Sequence, residues 1–316
     1  MARFSIGTAI GEAFGLVRRR PLAVFVWGLL LVVPSVASIG LILPMMSGVF
    51  ASIEAGASNT DQVHDAMMGE MMQVQGLSSL LNLVQLLVSV VVYTAVMRAV
   101  VRPKETSFFS LRLGMDELRV AVVGLAVIVG FYLAVLILVL LGVGIGFATW
   151  GLGEPFNWLI IVALCIGLIV AIWLGAARLS LIAPASVLYR SFAFSEGWKL
   201  GRGRAGALFG MMLLIVLIII VIEMVVLGIG AAVIAVSAGG MDWARIHTDL
   251  ADDPFTGLQA LFVANWPWVA VCAVVVSALY GALLTLGIAP FASACRQLAG
   301  SDTPPHADEH SPAPTE

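Results

Sequence analysis

The chain has 316 residues, of which 61% are hydrophobic and only 11% are charged. Soluble domains carry about 25% charged residues, so this composition excludes a soluble globular protein and is typical of a polytopic α-helical membrane protein. The net charge of −3 says little about partners, because the charges are sorted by position along the chain, and no nucleic-acid partner is predicted. The three cysteines lie in or at the ends of apolar segments, which argues against a disulfide framework.

The first predicted element is a helix over residues 4–17. Its apolar residues share one helical face: Ile6, Ile10, Ala13, Phe14 and Val17. Because Arg18–Arg20 follow directly, the pattern predicts an amphipathic helix lying at the cytoplasmic membrane interface. A helix that packs against the membrane bundle is the alternative that the sequence leaves open.

Six apolar segments follow, each long enough to supply the roughly 20 helical residues that cross a bilayer core. They lie at about residues 22–44, 76–97, 120–147, 158–177, 207–236 and 266–294. Fifteen of the 16 Lys and Arg residues fall on one side of these segments and only Arg245 falls on the other. The positive-inside rule therefore places both termini in the cytoplasm. We predict an all-α membrane domain of six spans over residues 1–299, and a disordered, Pro-rich tail over residues 300–316.

The second apolar segment carries a polar stripe along one helical face. Its members are spaced by three or four residues: Ser78, Asn82, Gln85, Ser89 and Tyr93. In lipid, such a face turns toward other helices or toward water.

The fifth apolar segment contains a single ionisable residue, Glu223. A carboxylate at the centre of a membrane helix costs about 2.5–3.5 kcal/mol on insertion scales. Gln85 lies thirteen residues before Arg98, and Glu223 lies thirteen residues after Gly210. Both are then roughly 20 Å from the cytoplasmic boundary, so we predict that Glu223 faces the stripe and bonds to Gln85 or Asn82. A protonated carboxyl that holds helices together and a proton- or ligand-coupled site are both consistent with this placement.

Short motifs recur before the predicted spans. Glu12–Arg20 and Glu196–Arg204 align without gaps in Glu, an aromatic residue, Leu and two Arg, and Phe109–Arg119 is a weaker copy. Segments four and six end in the matching tripeptides Ile182-Ala-Pro184 and Ile288-Ala-Pro290. We therefore predict three repeated units, each an interfacial helix followed by a membrane hairpin.

These motifs, together with six spans and cytoplasmic ends, resemble a group of bacterial inner-membrane proteins. The group is related to the membrane domain attached to some glycerophosphodiester phosphodiesterases. The resemblance covers most of residues 1–300 and implies the fold and a location in the bacterial inner membrane. The phosphodiesterase barrel of those fusions has no counterpart in this sequence, so the hydrolase activity is not implied.

Cations before the first and fifth spans are predicted to contact lipid phosphates of the inner leaflet. They are Arg18, Arg19, Arg20, Arg202 and Arg204. The segment Gly201–Gly206 also matches the G-x-G-x-x-G pattern, but no strand precedes it, so dinucleotide binding is not predicted. The G-x-x-x-G pairs Gly142/Gly146 and Gly206/Gly210 predict close helix contacts.

A segment on the outer side carries His and Met residues on one side of a predicted helix: His64, Met67, Met68 and Met71. Imidazole and thioether groups can hold Cu(I), but methionines at this spacing more often form an apolar face. We expect no metal site and no cofactor.

The sequence shows no Ser/His/Asp set, P-loop or zinc-protease motif, so we predict that the protein is not an enzyme. Two functional hypotheses remain. One is a non-catalytic inner-membrane protein that organises membrane lipids or partner membrane proteins. The other is a transporter or flippase-like carrier that uses Glu223 and the polar stripe. In this hypothesis Pro34 interrupts the first span, and Pro184 and Pro290 bend the cytoplasmic ends of the fourth and sixth.

Overall fold

A computed structural model describes residues 4–55, 60–104, 108–112, 114–153, 156–238, 263 and 266–302. All regular elements within these ranges are helical. The α-helices are α1 (Ile6–Arg19), α2 (Pro21–Ala55), α3 (Thr60–Val101), α4 (Met115–Thr149), α5 (Phe156–Leu179), α6 (Ile182–Tyr189), α7 (Phe194–Leu200), α8 (Ala205–Ala238) and α9 (Trp266–Asp302). Two 3-10 turns lie at Phe108–Ser110 and Trp150–Leu152.

Six helical stretches of the described chain are long and apolar enough to cross a membrane. They are Pro21–Ile42, Met71–Val101, Met115–Thr149, Phe156–Tyr189, Ala205–Gly230 and Trp266–Gly300. The predicted all-α fold with six helices of membrane-spanning length is confirmed.

Several helices extend well beyond the predicted spans. α3 has 42 residues, which at 1.5 Å per residue is about 63 Å, roughly twice the thickness of a bilayer core. Since α2 continues to Ala55 and α3 begins at Thr60, most of residues 45–75, which connect the first two predicted spans, is helical. Most of residues 237–265, which connect the fifth and sixth predicted spans, lies outside the described residues, and so does the predicted tail from residue 303 onward.

The chain divides into two compact units. Unit 1 contains residues 1–19, 93–218 and 285–316, and unit 2 contains residues 20–92 and 219–284. Within unit 1, α4 packs on α5 where Gly142 faces Leu164 and Leu168, because a Cβ at this glycine would lie 3.0 Å from Leu168 Cδ1. α5 also contacts α8 through an edge-to-face pair of Trp173 and Phe209, whose ring centroids are 6.4 Å apart.

Within unit 2, α2 and α9 cross in direct backbone contact. A Cβ placed on Gly28 would collide with the carbonyl oxygen of Ser277, and one placed on Gly281 would collide with the carbonyl oxygen of Val24. Glycine at both positions is therefore a requirement of the crossing, as in other membrane helices that approach through small residues.

The G-x-x-x-G spacing predicted close contacts elsewhere, and this prediction is mostly wrong. A Cβ at Gly146, Gly206 or Gly210 would meet nothing within 4 Å in the described part of the chain, and only Gly142 lies against a neighbouring helix. The spacing places two glycines on one helical face, but it does not determine which face meets a neighbour.

The prolines affect the helices in different ways. α5 ends at Leu179 and α6 begins at Ile182, so Pro184 occupies the first turn of a new helix, where its missing N–H needs no partner. Pro34 and Pro290 instead lie inside α2 and α9, which continue past them. The predicted interruption of the first span at Pro34 is therefore wrong, and the two Ile-Ala-Pro tripeptides are not structurally equivalent.

The segments predicted as interfacial helices also differ from one another. α1 precedes α2 and the short α7 precedes α8, but a 3-10 turn precedes α4. In this turn Phe109 and Ser110 have backbone φ values of 52° and 56°. Residues other than glycine rarely adopt this left-handed conformation, and it does not occur inside a regular α-helix. The prediction of a helix before each hairpin is therefore wrong at this third position.

Candidate functional site

The end of α3 and the start of α4 are joined by a buried ion pair. Arg98 Nη2 lies 2.5 Å from Glu117 Oε1, and the two side chains are only 4% and 7% exposed. The Nη1 group of Arg98 donates to the carbonyl oxygen of Ser110 at 2.9 Å. Burial in a low dielectric strengthens such a pair but also removes both charges from water, so each charge depends on its partner.

Two further arginines share the neighbouring carboxylate, Asp116. Its Oδ2 lies 2.7 Å from Arg102 Nη2, and its Oδ1 lies 3.0 Å from Arg119 Nη1. Arg102 also donates to the carbonyl oxygen of Val187, at the end of α6, at 2.6 Å. We call Arg98, Arg102, Asp116, Glu117 and Arg119 the arginine cluster. It ties α3, α4 and α6 together, and its acids lie in the first turn of α4, where the helix dipole favours negative charge.

A second ion pair holds α1 against α9. Arg296 Nη2 lies 2.5 Å from Glu12 Oε1, and the Ser293 hydroxyl donates to Glu12 Oε2 at 2.5 Å. Arg296 also donates to the carbonyl oxygen of Val100 at 2.6 Å. α1 is thus a packed helix, with Ala9 and Ala13 buried and Phe14 46% exposed. Part of its predicted apolar face therefore packs on protein, while Phe14 points outward.

The structure places the predicted site of Glu223 and the polar stripe as follows. Glu223 is exposed on α8, Asn82 and Tyr93 are exposed on α3, and Gln85 and Ser89 are half-buried. Gln85 Nε2 donates to the carbonyl oxygen of Leu31 on α2 at 3.3 Å. Within the described ranges, Glu223 makes no hydrogen bond to Gln85 or Asn82. The Gln85 side chain thus bonds to α2, and its predicted hydrogen bond with Glu223 stays a prediction.

The partner of Gln85 lies in the turn of α2 that contains Pro34. Because proline has no N–H, the carbonyl group that Pro34 leaves without a helical N–H partner is that of Leu30, four residues earlier. In a membrane, such carbonyl groups are satisfied by side chains of the same or a neighbouring helix. Ser35 Oγ and Gln85 Nε2 both donate to the carbonyl oxygen of Leu31, at 3.1 Å and 3.3 Å. Leu31 is the residue after Leu30, so Gln85 links α3 to α2 beside the proline turn but does not replace the missing N–H of Pro34.

The predicted headgroup residues lie at helix ends. Arg18, Arg19, Arg20 and Arg202 are exposed, and Arg204 is half-buried. Glu196, which the repeat alignment pairs with Glu12, is also exposed. Hydrogen bonds from its own backbone N–H and from the Ser195 hydroxyl, together with nearby Lys199, hold the pKa of the Glu196 carboxyl below its usual range.

Of the weakly predicted metal ligands, the side chains of His64 and Met67 lie outside the described residues. Met68 and Met71 are 56% and 60% exposed. Among the residues that the structure describes, no three His, Cys, Asp or Glu side chains are grouped to hold a metal ion.

The arginine cluster is a feature that sequence reasoning missed. A usable signal was present, because Arg98 and Arg102 lie four residues apart at the end of one apolar segment and Asp116-Glu117 open the next. Acids are rare among the basic connecting segments, so their position beside four arginines between two spans favours ion pairing. The positive-inside rule uses only the side on which a cation lies and takes no account of acids that pair with it on that side.

Comparisons with known protein families, with curated proteins and with solved structures find no match. The resemblance to the membrane domain of glycerophosphodiester phosphodiesterases therefore rests on the short sequence motifs alone.

Proposed function

We propose that this protein is a non-catalytic integral membrane protein that organises anionic lipids, or partner proteins, at the cytoplasmic face of a bacterial inner membrane. One observation carries the proposal. Three acids on this side, Glu12, Asp116 and Glu117, form ion pairs with arginines of the same chain. By contrast, the side chains of Arg18, Arg19 and Arg202 are exposed.

The consequence of this arrangement is a surface with excess positive charge at helix ends. Each Lys or Arg close to an anionic membrane surface contributes about 1 kcal/mol of attraction. We place these ends, and both termini, in the cytoplasm, because the positive-inside rule assigns the arginine-rich side there. Two repeated units, each beginning with an interfacial helix, belong to the same proposal, supported by α1 and α7 and by the alignment of Glu12–Arg20 with Glu196–Arg204.

Lipid retention by the purified protein tests the proposal. We expect native mass spectrometry of the full chain in detergent to show more bound phosphatidylglycerol than phosphatidylcholine when both are offered equally. Replacing Arg18, Arg19 and Arg202 with Gln together is expected to weaken this preference by at least tenfold, since three charges are lost. Equal retention of the two lipids by the unmodified protein would contradict the proposal.

The carrier hypothesis keeps one observation in its favour. Gln85 Oε1 is buried without a hydrogen-bond partner in the described part of the chain. A buried acceptor of this kind can take a hydrogen bond from a polar ligand or from water. We therefore keep a carrier of a lipid or small amphiphile as the second candidate function.

A further inference from the structure

An apolar groove runs between α4 and α5 in unit 1. It has a volume of about 350 Å³ and is lined by apolar side chains of α4, α5, α6 and α7. On α4 it runs from Ala126 to Leu138. The twelve helical steps from Ala126 to Leu138 span about 18 Å, which is close to the half-thickness of a hydrocarbon core of about 30 Å. The groove therefore has the length of one leaflet.

Small residues keep this groove open. A Cβ placed on Gly130 or Gly175, which face the groove from α4 and α5, would meet nothing within 4 Å in the part of the chain that the structure describes. Further along the same helix pair, Gly142 lies in contact with Leu164 and Leu168. The two helices thus pack tightly at one level and leave a space at another. Gly130 is exposed, so the space is open to the surrounding hydrocarbon.

One end of the groove carries a cation. Trp198 of α7 lines the groove, and the guanidinium carbon of Arg178 lies 5.5 Å from the centre of its indole ring. A guanidinium stacked on an aromatic face keeps the N–H groups along its edge available for a phosphate. The chain around this end is strongly basic, with five cations (Arg178, Arg190, Lys199, Arg202 and Arg204) and one acid (Glu196) between residues 178 and 204.

We propose that this groove is a binding site for an anionic phospholipid, with one acyl chain lying along α4 and α5 and the phosphate on Arg178 beside Trp198. The groove supplies an apolar surface for the chain, and the basic end supplies the complementary charge for the headgroup. Its volume lies at the lower end of the roughly 300–1,000 Å³ typical of ligand sites. The site deepens the proposed function and rests on it, since it names one lipid position on a protein proposed to organise lipids.

The test places a leucine side chain in the groove, either from α4 or from α5. The full chain is purified in detergent, and the affinity for phosphatidylglycerol is measured by native mass spectrometry for Gly130→Leu and Gly175→Leu. Both substitutions raise helix propensity, so they are not expected to disturb the fold. Gly124→Leu is the matched control, because a Cβ at Gly124 also meets open space within the described residues but this glycine does not line the groove.

We expect either groove-filling substitution to reduce the affinity of the tightest phosphatidylglycerol site by at least tenfold, while Gly124→Leu leaves it unchanged. Arg178→Gln is expected to lower the affinity for phosphatidylglycerol about fivefold and to leave phosphatidylcholine nearly unaffected, because one headgroup charge contact is lost.

The outcomes separate this site from the proposed function. If the unmodified protein prefers phosphatidylglycerol but the filled variants bind it equally well, the groove proposal fails and the exposed arginines still account for the preference. If the unmodified protein retains no lipid preferentially, both fail. A filled variant that loses a co-purified membrane protein, with lipid retention intact, would identify the groove as a protein contact and overturn the lipid assignment.

Discussion

At the scale of single residues, the charged side chains of unit 1 divide into two groups by their surroundings. Arg98 and Glu117 are almost completely buried and bond to each other, whereas Arg18, Arg19 and Arg202 are exposed. The first group holds helices together, and the second is available to lipid headgroups. This distinction carries the proposed function, since only exposed cations attract an anionic membrane surface.

Glu117→Gln should show that the buried group is structural. The amide keeps the shape of the side chain but removes its charge, which leaves Arg98 buried with Asp116 at 3.7 Å as its remaining anion. Breaking a buried ion pair costs about 3–5 kcal/mol. We expect the lower end of this range, because Asp116 remains, and a fall of several degrees in the thermal midpoint measured in detergent.

Glu196→Gln is the matched control for this substitution. It removes the same charge from an exposed position in unit 1. Because solvent weakens the contacts of Glu196 with Ser195 and Lys199, we expect a much smaller fall in the thermal midpoint than for Glu117→Gln. Equal midpoints for the Glu117→Gln variant and the unmodified protein would show that the arginine cluster does not stabilise the fold.

At the scale of helices, the contact of α2 with α9 depends on two glycines. Gly28→Ala directs a methyl group into the backbone of α9 at Ser277, so the helices must separate. Over-packing of this kind costs about 1–3 kcal/mol. We expect Gly28→Ala to lower the thermal midpoint and Gly281→Ala to do the same from the opposite helix.

Gly40→Ala provides the comparison on the same helix. A Cβ at Gly40 meets nothing within 4 Å among the described residues, and alanine is favoured over glycine in a helix by up to about 1 kcal/mol. We expect this variant to be at least as stable as the unmodified protein. A Gly28→Ala variant as stable as Gly40→Ala would contradict the backbone contact.

The helices themselves could be predicted from the sequence more readily than their contacts. Apolar composition over more than 20 residues is a local property, and it located all six long apolar helices. The contact of Gly28 with Ser277 joins residues that are far apart in the chain. The G-x-x-x-G spacing instead predicted contacts at Gly206 and Gly210, where the structure shows none within 4 Å among the described residues. Local spacing carries no information about which distant helix lies opposite a glycine.

At the scale of the whole molecule, the two functional hypotheses make different demands on Glu223. A protein that organises lipids does not need this carboxyl group to ionise, whereas a carrier uses it as part of the pathway. In the structure Glu223 is exposed on α8, and the Gln85 amide predicted to meet it bonds instead to α2.

Reconstitution distinguishes the two hypotheses. The full chain and Glu223→Gln are placed in vesicles that contain a fluorescent phospholipid, and the rate of its transfer between leaflets is measured. We expect no acceleration by either protein over empty vesicles, because the proposed function involves no transport. Transfer that is accelerated by the unmodified chain and slowed by Glu223→Gln would establish the carrier instead.

The sequence by itself determined the class of the protein, the number of long apolar helices and the separation of basic from acidic segments. These properties are local, since hydropathy and charge can be counted along the chain without knowing its path. Only the tertiary structure decided which charges are paired, which glycines touch a neighbour and which carbonyl group Gln85 satisfies. Each of these contacts joins groups from different helices. How closely the helices approach is set by their packing and not by the spacing of residues along the chain. For the same reason the groove beside Arg178 appears only when α4, α5 and α7 are placed together.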